Sequence, residues 1–275
     1  MRLNLHLAAL ALAAMAAPFA ASAAAANDPL AQAVASPTRT EAYRARDVYR
    51  HPLKTLQFFG VRPDMTVVEI WPSNAWYTEI LAPYLHDQGK YYAAGSAASL
   101  PTASDETRRS VAAFQQRLDA DPARYSGVTV TEFRPPQRTE ICPPGTADMV
   151  LTFRNVHNWI SGGYEQEAFN AFYTALKPGG VLGVEEHRAK PYTTLEQTKK
   201  SGYVNEAYIK ALAANAGFRF VAESKVNDNR KDTKDYPEGV WTLPPTYTLG
   251  DQDKAKYQAI GESDRMTLKF VKPQA

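Results

Sequence analysis

The feature that most constrains this chain is an alternation running from Met65 to Glu223, in which short apolar runs are separated by stretches with helical periodicity. Met65-Thr66-Val67-Val68-Glu69-Ile70 is nearly continuous in apolar character, as a strand covered on both faces must be. Tyr77 to Leu85 then reads as a helix, Lys90 to Ala94 as a strand, Asp105 to Asp119 as a helix and Val128 to Phe133 as a strand. Asp148 to Phe153 and Val181 to Glu185 are strands flanking a helix over Gln166 to Leu176, which Lys177-Pro178-Gly179-Gly180 stops. A helix over Asn205 to Asn215 ends at Gly217, and strands over Phe218 to Glu223 and Arg265 to Val271 complete the pattern. Strands joined through helices need right-handed crossovers, so the expected fold is α/β, a doubly wound, mostly parallel seven-stranded sheet covered on both faces.

Ahead of this body, the first 26 residues place one Arg before an Ala- and Leu-rich run ending at Ala21-Ser22-Ala23. That is the layout of a cleaved secretory signal peptide, and it implies a periplasmic or secreted protein. Residues 27–52 read as an N-terminal helical segment, polar to Arg39, with Thr40 capping a helix over Glu41 to Tyr49 that His51-Pro52 interrupts. Arg44, Asp47, Arg50 and His51 are expected to form surface pairs. Residues 53–275 read as the main domain, opening with a helix over Leu53 to Phe59 that stops at Gly60.

No later apolar run is long enough to cross a bilayer, so no membrane span is expected once the signal is removed. A single cysteine, Cys142, cannot form an internal bridge and reads as a small filler residue. The net charge of +2 is interspersed, without a basic block carrying aromatics, which argues against nucleic acid as a partner. Tyrosines and tryptophans beside Pro and Gly in loops point instead to a small-molecule pocket.

The densest polar cluster is Arg154-Asn155-Val156-His157-Asn158-Trp159, directly after a strand and therefore at the carboxyl edge of the sheet. His157 is the candidate base and Asn155 the candidate positioning group. Glu185-Glu186-His187-Arg188 follows the next strand and is expected on the same edge. Two histidines and two carboxylates there suit a general acid/base pair or a divalent metal; the spacing matches no known ligand pattern and no metal is assigned. An Arg188–carboxylate network is the structural alternative. Residues 226–262 are too long for a plain connection and read as a lid-like insertion, in which Tyr236 and Trp241 close a pocket or pack the lid onto the body.

In order and spacing, Val67-Val68-Glu69-Ile70 with the following turn and helix, Lys90-Tyr91-Tyr92-Ala93-Ala94, Ala147-Asp148-Met149-Val150-Leu151-Thr152 and Leu176-Lys177-Pro178-Gly179-Gly180-Val181-Leu182 resemble the class I S-adenosylmethionine-dependent methyltransferases. More narrowly, Glu69-Ile70-Trp71-Pro72 with Trp76-Tyr77-Thr78-Glu79, the Arg154 to Trp159 cluster and Gly239-Val240-Trp241-Thr242-Leu243-Pro244-Pro245 look like a group of exported bacterial methyltransferase-like proteins. The resemblance implies a Rossmann-like fold with an antiparallel last strand and S-adenosylmethionine as cofactor. It also implies a cofactor site at Glu69, Trp71, Ser73, Asn74, Ala75, Gly95, Phe153 and Arg154, with catalysis by His157, Asn155 and His187. Trp76, Asn158, Glu186, Tyr236 and Trp241 would then face the substrate or form its lid.

Two departures from that family stand out. The loop after the first strand, Trp71-Pro72-Ser73-Asn74-Ala75, contains no glycine, although Asn74 tolerates a left-handed backbone. Gly95 stands where an acid would hold the ribose hydroxyls. Three readings follow: a methyltransferase acting after export on a small molecule, a ligand-binding protein that keeps the cleft without the catalysis, and a metal or acid/base hydrolase on the His157, Glu186 and His187 edge.

Overall fold

The computed structural model describes residues 28–274, so the signal segment and its cleavage site lie outside the described residues. Seven strands form one sheet: β1 (Thr66–Ile70), β2 (Lys90–Ser96), β3 (Val128–Phe133), β4 (Ala147–Phe153), β5 (Leu176–His187), β6 (Arg219–Ser224) and β7 (Arg265–Val271). Their order is β3-β2-β1-β4-β5-β7-β6. The first five run parallel, and β7 enters antiparallel between β5 and β6. This is the Rossmann-like methyltransferase fold with its antiparallel last strand. Strand order reverses at β1, which puts the crevice for a ligand beyond the carboxyl ends of β1 and β4.

The central runs become strands because both faces are covered, while the edge strands β3 and β6 stay partly exposed. β4 is buried along nearly its whole length, and two apolar clusters fill the space on either side of the sheet. One centres on Trp159, Phe169 and Phe172, the other on Leu56, Phe59, Ile80 and Leu81. Cys142 is buried among the first of these, as a filler would be.

Several local expectations are corrected. The helical segment already begins ahead of Arg39: α1 (Pro29–Ala35) starts there, with Asp28 accepting from the Leu30 amide and Pro29 in the first turn. The expected helix over Glu41 to Tyr49 is split into α2 (Glu41–Arg44) and α3 (Asp47–Arg50). Thr40 stands at the N-cap of α2 as expected, but its hydroxyl makes no capping bond, since hydroxyl and amide both donate to Glu79. Arg50 is buried rather than on the surface, and Asp47 pairs with the buried Arg39. α4 (Pro52–Phe59) ends at Gly60, and α5 (Thr78–Leu85), α6 (Asp105–Asp119) and α7 (Pro122–Tyr125) follow. α8 (Val156–Gly162) begins inside the Arg154 to Trp159 cluster. Next come α9 (Glu165–Ala175), α10 (Leu195–Ser201) and α11 (Glu206–Asn215). Residues 226–262 carry a 3-10 turn at Gly239–Thr242 and α12 (Lys254–Ile260). No described helix is long and apolar enough to cross a membrane.

Candidate functional site

The loop after β1 keeps an unusual backbone. Trp71, Ser73 and Ala75 all have positive φ, at 49°, 52° and 65°. Alternate residues in the left-handed region are what a glycine-rich turn adopts freely, and each non-glycine residue there costs on the order of 1 kcal/mol or more. Asn74, the residue expected to take that conformation, is not among them. The loop therefore takes the left-handed backbone at residues that carry β-carbons.

Those side chains decide what fits. The Trp71 indole N–H donates to the carbonyl of Phe133, the last residue of β3, at 3.1 Å. Because β2 lies between β1 and β3, the ring crosses the carboxyl end of β2. It packs edge-on against Phe133 and Trp159, with centroids 6.5 and 5.9 Å away. Glu69 is buried, and its carboxyl accepts from the Tyr91 and Thr78 hydroxyls. Burial pushes its pKa up to about 7 against the pull of those two hydrogen bonds. Gly95 lies in register with Glu132, but that carboxylate is taken by Ser99 and Arg138. An ammonium group would find a half-neutral acid facing inward, ribose hydroxyls would find no free carboxylate, and the indole stands over the end of β2. The residues present do not fit S-adenosylmethionine.

On the other half of the edge, β4 and β5 bring two histidines together. Glu186, fully buried, accepts from the amides of Val156 at 2.6 Å, His157 at 3.3 Å and His187 at 2.8 Å. Its Oε1 also lies 3.1 Å from His157 Nδ1. His187 Nδ1 lies 2.6 Å from the hydroxyl of Ser263, and the two imidazole centroids are 5.4 Å apart. Burial, then the neighbouring His157 and three arginines, hold the His187 pKa well below 6.5, so its ring is neutral at neutral pH. Trp241 from the lid covers His157 edge-on at 5.9 Å. Asn155 donates to the carbonyl of Ile70 at 2.9 Å, tying the end of β4 to the end of β1.

Beside the histidines, Arg154 donates to Glu185 at 2.8 Å, and Arg265 bridges Glu185 and Glu262. Phe153 stacks on Tyr77 with centroids 3.6 Å apart, and the Tyr77 hydroxyl reaches Glu185 at 3.3 Å. Arg154 itself has φ of 60°, which turns the chain out of β4 toward this cluster.

The expected residues thus divide three ways. His157, His187, Glu186 and Trp241 come together, with Arg154, Phe153 and Asn155 beside them. Trp71 and exposed Asn158 instead line an open cleft of about 650 Å³ with Ser96, Arg134 and Tyr164, while Ser73 and Gly95 line a smaller pocket next to it. Tyr236 packs on Tyr257 and on the Tyr203–Val240 cluster that also takes Trp241, with no ring contact or hydrogen bond to either histidine among the described residues. Trp76 is buried between Arg39 and Arg50. Arg188 makes the carboxylate network weighed as the structural alternative, with Glu206, Asp228 and Asp264. Tyr77, Ser263, Arg265, Glu262 and Arg50 belong to the site without having been expected there. Each reaches it through ion pairs or hydrogen bonds to residues far away along the chain, Tyr77 included through Glu185.

No protein-family model matches the chain, and no curated protein matches it. Among solved structures it is similar to a SAM dependent methyltransferase from Aquifex aeolicus, at 15% identity over 83% of this chain and 93% of that one, with a TM-score of 0.54. It is also similar to the [4+2]-cyclase SpnF, at 12% identity over 85% of this chain and 82% of that one, with a TM-score of 0.54. A third is phosphoethanolamine N-methyltransferase 2 of Haemonchus contortus, at 16% identity over 82% of this chain and 53% of that one, with a TM-score of 0.50. At such identities the likeness defines the fold, that of class I methyltransferases. A cyclase among these neighbours is a reminder that the fold does not select the reaction.

Proposed function

We propose that this protein, after export, acts on a small molecule by general-base chemistry at His157, with Glu186 and His187, on a methyltransferase fold that has given up its cofactor loop. The observation that carries the reading is the anchoring of Glu186: three amides fix its carboxylate against His157 Nδ1 inside the fold. A carboxylate accepting from Nδ1–H selects the tautomer that leaves Nε2 with a free lone pair, and it stabilises the imidazolium formed when that nitrogen takes a proton. Neutral His187, held by Ser263, stands next to the reacting edge as a hydrogen-bonding group. Trp241 limits water access from the lid side. The base can remove a proton from a bound substrate or from water, the latter giving hydrolysis.

Isothermal titration of the protein from Asn27 onward with S-adenosylmethionine and S-adenosylhomocysteine, paired with nitrogen-15 NMR of the histidines, tests this. The expected result is no binding at millimolar concentration and a His157 ring protonated on Nδ1 alone. One observation favours a second reading, methyl transfer from S-adenosylmethionine: the left-handed backbone at Trp71, Ser73 and Ala75 is one that a glycine-rich turn adopts freely. Micromolar binding in the same titration would move the conclusion to that reading.

A further inference from the structure

The arginines around Glu185 and Glu262 outnumber their carboxylates. Arg46 and Arg50 donate to Glu262 at 2.7 and 3.0 Å, Arg154 donates to Glu185, and Arg265 Nη1 lies 3.3 Å from Glu185 and 3.2 Å from Glu262. Four guanidiniums therefore share two carboxylates. Arg265 is 1% exposed, Glu185 is fully buried and Glu262 is 5% exposed, so solvent does not make up the difference.

The donor count points the same way. Arg265 Nε, Arg46 Nη2 and the Trp76 indole N–H are sealed from solvent with no acceptor, and Trp76 itself is 6% exposed, with Arg50 lying 4.8 Å over its ring. Among the described residues, the guanidinium of Arg154 makes one hydrogen bond, from Nη1, and that of Arg50 one, from Nε. The remaining nitrogens of both are left for another acceptor. Buried cations in excess are costly unless paired, and guanidinium edges match the oxygens of a carboxylate or phosphate. The Arg50 pKa falls to about 9, first through burial and then through the nearby Arg154, against the opposing pull of Glu262.

We infer that Arg154 and Arg50, with Arg46 behind them, form the binding site for an oxyanion, the carboxylate or phosphate group of the small molecule on which the histidines act. Arg154 and Arg46 keep side-chain exposures of 17% and 23%, which leaves the cluster open at one side. Arg154 stands three residues before His157 and pairs with Glu185, the neighbour of Glu186, and Arg154 and Arg50 both act electrostatically on His187, so an anion held there lies beside the histidine pair. A cation fits less well. His157, Glu186 and His187 place ligand atoms within 4.8 Å of one another, but the Glu186 oxygens already accept three amides, and the arginine field opposes a positive charge.

This inference rests on the acid–base reading for its reacting end, yet its test needs no turnover. The full mature chain is titrated calorimetrically with inorganic phosphate and, separately, with succinate, at constant ionic strength set with sodium chloride. One of the two should bind at millimolar concentration or tighter, and the arm that binds identifies the anion. Arg154→Gln should weaken binding about tenfold or more, the loss of one charge-assisted contact. Arg46→Gln, at the more exposed side of the cluster, should weaken it in the same direction and serves if Arg154→Gln does not fold. His157→Ala should leave anion binding in place, which separates failure of the acid–base reading from failure of this one. Absence of binding in both arms, or unchanged affinity in the arginine variants, would overturn the inference.

Discussion

Glu69 offers a measurement in which the structure fixes both the sign and the size. Its carboxyl is 3% exposed, and its pKa is raised from 4.5 to about 7, chiefly by burial. A folded value above the unfolded one means that the fold prefers the neutral acid. Below about pH 4.5 the acid is neutral in both states and costs nothing; as pH rises through about 7 the folded protein must hold a buried carboxylate. At about 1.4 kcal/mol per pKa unit, that difference is worth roughly 3 kcal/mol of stability, lost between the two values and missing in full above them. Glu69→Gln keeps an acceptor for the Tyr91 and Thr78 hydroxyls and removes the ionisation. In urea denaturation, the variant should match the parent near pH 4 and exceed it by roughly 2–3 kcal/mol near pH 8. All other titrating groups are shared, so they cancel in the comparison. A stability difference that does not change with pH, or a variant weaker than the parent at pH 8, would refute the argument. It would mean that Glu69 is a stable anion, free to hold a cationic ligand as the cofactor reading requires.

Three further outcomes are expected. Trp71→Gly combined with Ala75→Gly withdraws the indole from the end of β2 and removes a β-carbon from the turn; calorimetry should then detect S-adenosylmethionine binding that the parent lacks, and an inert double variant would show that other features exclude the cofactor. Asn155→Ala strips the carbonyl of Ile70 of the side-chain donor that ties β4 to β1, so urea denaturation should show a loss of about 1–3 kcal/mol. Gly239 has φ of 54°, and a β-carbon there would run into the backbone of Ser201; Gly239→Ala should therefore loosen the turn bearing Trp241 and change tryptophan fluorescence, whereas an unaltered spectrum and stability would mean that the lid contact is not held by this turn.

The central strands β1 and β4 were legible because they are covered on both faces, and burial on two sides leaves a pattern that one sequence displays. For the same reason the histidines could be placed together. β4 and β5 are parallel neighbours, so whatever follows their carboxyl ends, His157 from one and Glu186 and His187 from the other, must share an edge. Two short helices were legible in retrospect: Asp28-Pro29 is a start signal, and Val156, Trp159 and Ile160 repeat at helical spacing before Gly162-Gly163.

What stayed hidden is pairing at a distance. Arg50 looks like a surface residue because charged side chains usually are, and only the fold brings it against Glu262, 212 residues later. The loop shows the same limit from the other side. Residue preference picks Asn74 for the left-handed backbone, while the surrounding structure imposes that backbone on Trp71, Ser73 and Ala75. Both cases bear on function more than on fold. Local pattern fixes which edge of the sheet carries the chemistry, but the ligand is chosen by groups that meet only after folding: an indole lying across β2, a carboxyl turned inward, and four arginines around two carboxylates. The first two weaken a cofactor site at Glu69, and the third is the site inferred above for an anion.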